Sequence, residues 1–431
     1  MALTGRAGLL ALAGTLVVAL VAPTGRGLLL VNAGLAALVA LDVALAASPR
    51  ALSLRRSGAR RVRLGETAEV TLAVTNTGRR RARGLLRDAW PPSAGAPPAR
   101  ARLDLPPGGR RQVTTLLRPT RRGDRRAEQV TVRTVGPLGL AGRQGGHRAD
   151  WTVRVLPAFP SRRHLPAKLA RLRELDGRTA VLARGQGTEF DSLREYVAGD
   201  DARTVDWRAT ARRGQVVVRT WRPERDRRVV LALDTGRTSA GRVGDAPRLD
   251  AAMDAALLLA ALAARAGDRV DLFAFGRGLR ATAGGRPGPG LLPGLVDALA
   301  PLDPELVESD PAGLVGELHR RIRQRALVVL LTGLDTAAVT EGLVPALPPL
   351  VARHRVLLAA VADPQLATLA AGRGSAGAVY AAASAERARQ ERARTSDLLR
   401  RHGVQVVDAP PDRLPPALAD AYLALKAAGR L

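Results

Sequence analysis

The feature that most limits the possible folds is an almost charge-free N-terminal stretch. Residues 7–22 (AGLLALAGTLVVALVA) carry no charge, and residues 27–47 carry only Asp42. At about 1.5 Å of rise per residue, the second run reaches the roughly 30 Å needed to cross a bilayer. A helical hairpin satisfies the backbone polar groups within its own helices. We therefore predict two transmembrane helices within residues 1–48, at about 7–22 and 27–47, joined by a tight turn.

The arginine distribution predicts which side of the membrane the chain occupies. Six arginines lie between residues 50 and 63, whereas the turn of the hairpin carries only Arg26. By the positive-inside rule, both ends of the hairpin and the bulk of the chain face the cytoplasm. This predicts a multi-pass plasma-membrane protein, with Asp42 close enough to the interface to be reached by water. A cleaved signal peptide at residues 1–22 is the alternative, but no Ala-x-Ala site precedes a polar start.

Composition excludes several kinds of chemistry. The chain has 67 Lys+Arg against 39 Asp+Glu, a formal charge of +28, yet its only lysines are Lys168 and Lys426. No Gly-Lys pair exists, which excludes a P-loop. The absence of cysteine excludes thiolate chemistry and Cys-based zinc sites. Aromatic residues make up 3% of the chain, too few for base-stacking platforms, so a nucleic-acid partner is not favoured. The lipid bilayer is the partner that the hairpin implies.

Short alternating runs between polar turns follow the hairpin. Residues 53–157 contain runs such as AEVTLAVT, separated by clusters such as TNTGRRR and PPGGRR. Alternation with a period of two, interrupted by Gly and Pro every few residues, is typical of an antiparallel sandwich. We predict an Ig-like β-sandwich domain with a structural or docking role.

Aromatic and charged residues are densest in residues 185–228, within a region, residues 158–228, that we expect to be a linker. It contains the segment GTEFDSLREYVAGDDARTVDWRATAR. One interpretation is a buried or half-buried ion-pair network that fixes the sandwich against the next domain. The other is a partner-docking surface, because Trp, Tyr and Arg dominate interface hot spots. The candidate residues are Arg194, Tyr196, Asp200, Asp201, Arg203, Asp206, Trp207 and Arg208.

Buried strands alternate with amphipathic helices in residues 229–431. Continuous apolar runs such as VVLALD and ALVVLL, separated by helical patterns, predict a Rossmann-like α/β domain with a parallel sheet covered on both faces. We expect strands at 229–234, 269–276, 326–333, 355–362 and 404–408, and helices at 249–266, 311–324, 337–352, 385–402 and 415–428. Ligands of such sheets bind at the carboxyl ends of the strands.

The sequence DTGRTS begins at that edge, at Asp234. It resembles the metal motif of the von Willebrand factor A-type fold, Asp-x-Ser-x-Ser. What the resemblance implies is an Mg-type site in which Asp234 and Thr238 supply the first and last ligands of the motif and Asp335 supplies a later aspartate. The match is degraded, because Gly236 has no hydroxyl and Gly333 stands where the later aspartate is expected. A strand-end turn without a metal is the alternative, and no cofactor is certain.

The same residues permit an enzymatic interpretation. Haloacid-dehalogenase-type phosphatases use Asp-x-Asp-x-Thr after the first strand, but Gly236 replaces the second aspartate. The lysine that such enzymes require has one downstream candidate, Lys426. We therefore do not favour a phosphatase, and we name no catalytic residue.

The order of hairpin, sandwich, charged segment and DTGRTS motif resembles the domain-of-unknown-function fifty-eight family, membrane proteins with a von Willebrand factor A-like domain. The resemblance implies association with a MoxR-type AAA+ ATPase. We expect a membrane-anchored, cytoplasm-facing adaptor that binds such an ATPase or its client proteins and is not itself an enzyme. The alternatives are a metal-dependent client-binding module and an enzyme of unknown reaction.

Overall fold

The computed structural model describes residues 2–21, 23–98, 100–182, 189–198, 200–222 and 227–431. The chain forms two compact units, Met1–Leu156 and Pro157–Leu431. The region expected to be a linker therefore falls within the second unit.

Two apolar helices begin the first unit. Helix α1 spans Gly5–Val21, and helix α2 spans Gly25–Leu45. The side chain of Thr24, the residue before α2, caps its N-terminus. Among the described residues, the helical stretch Gly25–Ala51 is long and apolar enough to cross a membrane, with a mean hydropathy of 2.3, whereas α1 is apolar but shorter. The structure thus provides one candidate span near the N-terminus where the sequence predicts two.

The rest of the first unit is β-rich. Strands β4 and β9 bury alternate side chains, as expected of strands with one face on a core. The described strands are β1 (Ala2–Leu3), β2 (Leu52–Gly58), β3 (Arg61–Arg63), β4 (Ala68–Asn76), β5 (Ala82–Asp88), β6 (Arg100–Leu105), β7 (Arg110–Leu117), β8 (Gly123–Arg126), β9 (Val130–Val135), β10 (Ala141–His147) and β11 (Thr152–Leu156). They form the sheets β1-β10-β9-β5-β6, β2-β4-β7 and β3-β11-β8. Two apolar clusters, centred on Leu72 and Val132 and on Val70 and Val153, fill the interior.

Asp42 differs from expectation. It is fully buried, and its carboxylate accepts hydrogen bonds from the backbone amides of Leu138 (2.8 Å), Leu140 (2.7 Å) and Ala141 (2.9 Å). The prediction that water reaches it is wrong, because the loop between β9 and β10 covers it. A single carboxylate therefore fastens the end of α2 to the β-rich body of this unit.

The second unit contains a six-stranded sheet flanked by helices. Its strands are β14 (Arg228–Asp234), β17 (Arg269–Phe275), β18 (Leu279–Gly285), β19 (Leu327–Leu331), β20 (Arg355–Val361) and β21 (Gln405–Ala409), in the order β18-β17-β14-β19-β20-β21. All neighbours are parallel except β18, which pairs antiparallel with β17 at one edge. This is the 3-2-1-4-5-6 order of doubly wound sheets. The strands expected from the sequence agree to within two residues at each end, and the sequence analysis missed β18.

Helices lie between these strands. The longer ones are α6 (Arg248–Arg265), α7 (Leu291–Leu299), α8 (Pro311–Arg321), α9 (Val344–Arg353), α10 (Pro364–Ala370), α11 (Ala376–Arg401) and α12 (Leu414–Ala427). A π-helical segment, Ala338–Leu343, leads into α9. Helix α6 buries residues on nearly all sides, including Leu258 and Leu262, because the sheet and α12 both pack on it. The expected start of α11 at residue 385 is nine residues late.

The segment expected to be a linker is structured where it is described. Helix α3 (Leu165–Leu182) packs against α6 and α12, with Leu172 buried and Lys168 paired to Asp420 at 2.7 Å. Strands β12 (Glu189–Glu195) and β13 (Val217–Arg222) form an antiparallel ribbon, and helix α4 (Trp207–Arg213) lies between them in sequence. The small elements α5 (Arg237–Ala240), β15 (Arg242–Val243) and β16 (Ala246–Pro247) follow β14.

Candidate functional site

The first candidate site lies where the central strands of the six-stranded sheet end. Asp234, the last residue of β14, pairs in register with Phe275 at the end of β17. On the other side of β14, the strand β19 ends at Leu331. Parallel strands bring their carboxyl ends to one edge of a sheet, where open α/β sheets form ligand sites. The position expected for Asp234 is therefore the one that the structure has.

Asp234 is buried, and its carboxylate accepts four hydrogen bonds. Oδ1 accepts from the amide of Gly236 (2.8 Å) and the hydroxyl of Ser309 (2.5 Å), and Oδ2 accepts from the hydroxyls of Thr238 (2.8 Å) and Thr332 (2.5 Å). Only 2% of the residue is exposed. A charged group without water is costly unless donors surround it. Neutral donors from three separate loops supply that stabilisation here.

Sequence reasoning found Thr238 but missed Ser309 and Thr332. Thr332 directly follows β19, so its strand-end position was an available signal. Ser309 had no local signal, because it lies in the connection between α7 and α8. That connection is fixed to the strand ends by backbone hydrogen bonds, including Glu305 N to Thr235 O at 2.7 Å.

Gly236 allows this connection to approach. A Cβ at position 236 would collide with the Ser309 hydroxyl and would lie 2.8 Å from the carbonyl oxygen of Val307. The Arg237 amide donates to that same carbonyl at 2.8 Å. The hydroxyl that the sequence motif lacks at position 236 is thus present in space, supplied by Ser309.

A cavity of about 310 Å³ opens beside Asp234. Its floor is apolar and includes Phe275, Leu330 and Leu343, while its polar lining includes Glu308 and Glu341 in addition to the Asp234 cluster. No lysine, arginine or histidine belongs to its lining among the described residues. The cavity therefore combines an apolar surface with carboxylates.

The residues present fit a resident divalent cation poorly. All four hydrogen-bond positions of the Asp234 carboxylate are used by protein donors. Asp335, the expected second carboxylate, is 48% exposed in its side chain and faces Arg248 at 3.6 Å. No group of three or more His, Cys, Asp or Glu suited to a metal occurs among the described residues. Mg²⁺ favours several oxygen ligands, with one or two carboxylates free to bind it.

Lys426 lies at the opposite end of the strands from Asp234, where β17 begins. Its Nζ is 3.2 Å from Oδ1 of Asp268, which precedes β17 and also accepts a hydrogen bond from the buried Tyr422 hydroxyl. Asp234 and Asp268 therefore mark opposite ends of neighbouring parallel strands, about 20 Å apart at 3.3 Å per residue. Lys426 is not placed to act with Asp234 as the lysine of a phosphatase.

The second candidate site is the charged segment around α4. Gly187 and Thr188, which begin it in the sequence analysis, lie outside the described residues. Arg194 pairs with Asp200 at 2.5 Å, and Asp206 pairs with Arg219 at 2.8 Å. The Arg194 hydrogen bond lowers the pKa of Asp200, and amide donation from Ala209 followed by the Arg219 hydrogen bond lowers that of Asp206. Both carboxylates are therefore held ionised.

The two pairs are half-buried, because their carboxylate side chains are 20% and 13% exposed. The arginine side chains of the two pairs are 43% and 47% exposed, and Arg203 and Arg208 are exposed as well. Asp201 and Asp206 cap the short helices that follow them, accepting from the amides of Arg203 (3.0 Å) and Arg208 (3.1 Å). Their carboxylates therefore organise the backbone locally.

Aromatic and aliphatic side chains project from the same segment. Trp207 is 70% exposed at the start of α4, and Tyr196, Val197 and Val216 are 39%, 61% and 41% exposed. Tyr196 N donates to Val216 O at 2.9 Å, which places these two residues side by side. We call these four residues the Trp207 surface. The amide of Asp206 donates to the carbonyl oxygen of Val217 at 2.9 Å, so the start of α4 lies beside Val216, and the paired charges belong to the same segment.

Comparison with known families supports the resemblance inferred from the sequence. The family model described as "Protein of unknown function DUF58" matches residues 192–402, from β12 through α11. The match includes both candidate sites, apart from the start of the charged segment. The matched region is just under half of the chain, and it supports the DUF58 part of that resemblance.

Solved structures show weaker similarity. The CARDB domain of the PF1109 protein from Pyrococcus furiosus, crystallised with di-metal ions, is 20% identical, with 24% of this chain and 91% of that chain covered and a TM-score of 0.19. A beta-glucosidase from Listeria innocua is 16% identical, with 24% of this chain but 16% of that chain covered and a TM-score of 0.17. TM-scores this low support no functional inference. No curated protein matches the chain.

Proposed function

We propose that this chain is a membrane-anchored adaptor that binds another protein through the Trp207 surface and carries out no catalytic step of its own. The observation behind the proposal is the 70% exposure of Trp207. A large aromatic side chain in water costs free energy that burial in a partner recovers. Trp, Tyr and Arg are also the residues that most often dominate interface energetics. Arg194 and Arg219 beside this surface supply the polar rim.

The proposed anchor is the hairpin of α1 and α2, with both helices spanning and the rest of the chain in the cytoplasm. The support is that apolar side chains point outward along both helices, with Leu12 68% and Leu30 74% exposed. In the core helix α6, the leucines are buried. Outward-facing leucines suit lipid, and the arginines after α2 favour a cytoplasmic location.

We further propose that the second unit is a von Willebrand factor A-type domain and that its partner is a MoxR-type AAA+ ATPase or a client of that ATPase. The strand order with one antiparallel edge strand supports the domain type. The partner follows from the family resemblance alone. In this proposal ATP hydrolysis belongs to the partner, since the chain has no Gly-Lys pair for a P-loop.

The test is affinity purification of the full-length protein in mild detergent, followed by mass spectrometry. The informative variant is Trp207→Ser. The matched control is Tyr380→Ser, which removes an aromatic side chain 77% exposed on α11. We expect an AAA+ ATPase to be retained by the wild type and by Tyr380→Ser and lost by Trp207→Ser. If all three proteins retain the ATPase equally, the Trp207 surface is not its binding site. If no ATPase is purified with any of them, the proposed partner is wrong.

The cavity beside Asp234 supports a second candidate function, binding of a client's basic side chain. The apolar floor suits the aliphatic stem of a lysine or arginine, and the carboxylates of Glu341 and of Glu308, which also pairs with Arg237, suit its charge. Binding of a client's lysine or arginine in this cavity would not need a metal ion.

Filling the cavity tests this candidate. Gly342 lines the cavity, and a Cβ there would meet only Pro311, at 3.5 Å, so Gly342→Phe projects a ring into the space. Gly294→Phe on α7, where a Cβ meets nothing within 4 Å, is the control. Loss of client binding by the first variant alone is the expected result. Undiminished binding by Gly342→Phe would exclude the cavity as the client site.

A further inference from the structure

A cluster of arginines surrounds the end of α2 in the first unit. The Arg143 Nε donates to the carbonyl oxygen of Val43 at 3.0 Å, and the Arg80 guanidinium donates to the carbonyl oxygen of Ala44. The Arg6 guanidinium lies over Gly139, 2.9 Å from the point where a Cβ would be. We call Arg6, Arg80 and Arg143 the arginine rim. Its members come from α1 and from two parts of the β-rich body.

The helix end determines the depth of the rim in a membrane. Helix α2 has 21 residues, or about 31 Å at 1.5 Å per residue, which matches the hydrocarbon thickness of a bilayer. Val43 and Ala44 are within its last turn. Side chains that donate to these carbonyls therefore lie at the level of the lipid headgroups when α2 spans the membrane.

The rim carries positive charge that the described residues do not neutralise. Arg6, Arg80 and Arg143 form no ion pair with a carboxylate in the described part of the chain. Asp42, the nearby acid, is buried and occupied by three backbone amides. An arginine that uses one donor on a carbonyl retains others for a phosphate.

Apolar side chains accompany the rim. Leu138 is 45% exposed in the loop that covers Asp42, and Leu3 is 65% exposed in β1, which pairs with β10 beside that loop. Exposed leucines next to guanidinium groups suit the boundary between acyl chains and headgroups. Neither a nucleic acid nor a free phosphate would bury these leucines.

We propose that the arginine rim binds the headgroup phosphates of anionic phospholipids in the leaflet that contacts the β-rich body. The inference rests on the membrane anchoring proposed above. It adds a lipid preference to that anchor: the rim holds the end of α2 at a charged membrane surface. Each arginine near such a surface contributes attraction that corresponds to about a fivefold change in affinity.

The experiment uses the detergent-solubilised full-length protein. Short-chain phosphatidylglycerol, short-chain phosphatidylcholine or inorganic phosphate is titrated while the thermal unfolding midpoint is followed. We expect phosphatidylglycerol to raise the midpoint more than phosphatidylcholine does, with inorganic phosphate having little effect. An equal rise of the midpoint with the two lipids would overturn the proposal. A rise with inorganic phosphate equal to that with phosphatidylglycerol would also overturn it, because the site would then bind phosphate and not the lipid.

Two variants and one control locate the effect. Arg6→Gln removes a rim charge for which the described residues show no hydrogen bond, and we expect about fivefold weaker binding of phosphatidylglycerol. Arg80→Gln/Arg143→Gln removes two charges and should weaken the binding of phosphatidylglycerol further. Binding is judged from the rise in the unfolding midpoint relative to the same variant without lipid, so a change in the variant's own stability does not count. The control is Arg118→Gln/Arg121→Gln, at exposed positions beyond the far end of β7, about 26 Å along the strands from Leu52. Weakening by the control equal to that of the rim double variant would overturn the proposal.

Carbonate extraction of membranes separates this inference from the proposed function. If the wild-type protein is extracted from membranes by carbonate, the anchor itself fails, and the rim proposal fails with it. If the protein resists extraction yet shows no preference for phosphatidylglycerol, only the rim proposal fails.

Discussion

The hydroxyl of Ser309 occupies the space that a side chain at Gly236 would need. The two residues are 73 positions apart, and both donate to Oδ1 of Asp234. The glycine that makes the strand-end motif look incomplete is thus the residue that admits a hydroxyl from another loop. The motif is best understood as a buried carboxylate surrounded by donors from three connections.

We expect Gly236→Ala to lower the free energy of unfolding by about 1–3 kcal/mol, because the added methyl overpacks the contact with Ser309 and Val307. Gly278→Ala is the control, since a Cβ there meets nothing within 4 Å and the residue has no positive φ. Denaturant unfolding of both variants checks the prediction. Equal stability of the two variants would contradict the close approach.

We expect Asp234→Asn to lower the free energy of unfolding by about 1–3 kcal/mol. The carboxamide replaces one acceptor oxygen by a donor, which then faces hydroxyls that have lost their acceptor. Ser309→Ala should cost less, because the carboxylate keeps three donors. Chemical denaturation of the two single variants tests this order, and the reverse order would argue against the buried carboxylate as the centre of the cluster.

We expect neither Mg²⁺ nor EDTA to shift the thermal unfolding midpoint of the wild-type protein. An ion that binds only the folded state must stabilise it, and the Asp234 carboxylate already has four protein donors. A rise in the midpoint with Mg²⁺ that disappears in Asp234→Asn would show that the donors turn away to admit the ion.

Arg56 and Asp88 form an ion pair in the first unit with side chains only 1% and 2% exposed. Burial lowers the pKa of Arg56 and raises that of Asp88, so each group depends on the other to remain charged. We expect Arg56→Met to cost about 3–5 kcal/mol, because it leaves Asp88 buried without its cation. The double variant Arg56→Met/Asp88→Leu should be more stable than the single variant. Denaturant unfolding gives the free energy of unfolding of both variants. A double variant no more stable than the single variant would contradict the prediction.

His354 makes the stability of the second unit depend on pH. It is 3% exposed, and burial, followed by the neighbouring His319 and arginines, lowers its pKa from 6.5 to about 4. The unfolded chain therefore takes up this proton at a higher pH than the folded protein does, so the free energy of unfolding falls as the pH is lowered from about 6.5 to about 4. His354→Leu should flatten that dependence. An unchanged slope in urea unfolding across this range would contradict the assignment.

The local hydrophobic pattern was sufficient to predict most strands of the six-stranded sheet. The runs that became β14, β17, β19 and β20 are mostly apolar, with Asp271 as an interior exception in β17, because both faces of the sheet are covered. The edge strand β18 is rich in Gly, Ala and Thr and buries few side chains, so it lacks that pattern. Helix α3 was missed because it lies in a charged region that we expected to be a linker.

The position of Asp234 was determined by the sequence, since a polar residue that ends a buried strand of a parallel sheet must lie at its carboxyl edge. Which groups surround it was decided only by the tertiary structure. Ser309 and Thr332 come from 75 and 98 residues away, along connections whose paths depend on packing. The same holds for Asp42, whose place in an apolar run is evident from sequence but whose burial depends on a loop about 96 residues later. A carboxylate's need for donors is a local property, whereas the donors that meet it are chosen by the fold.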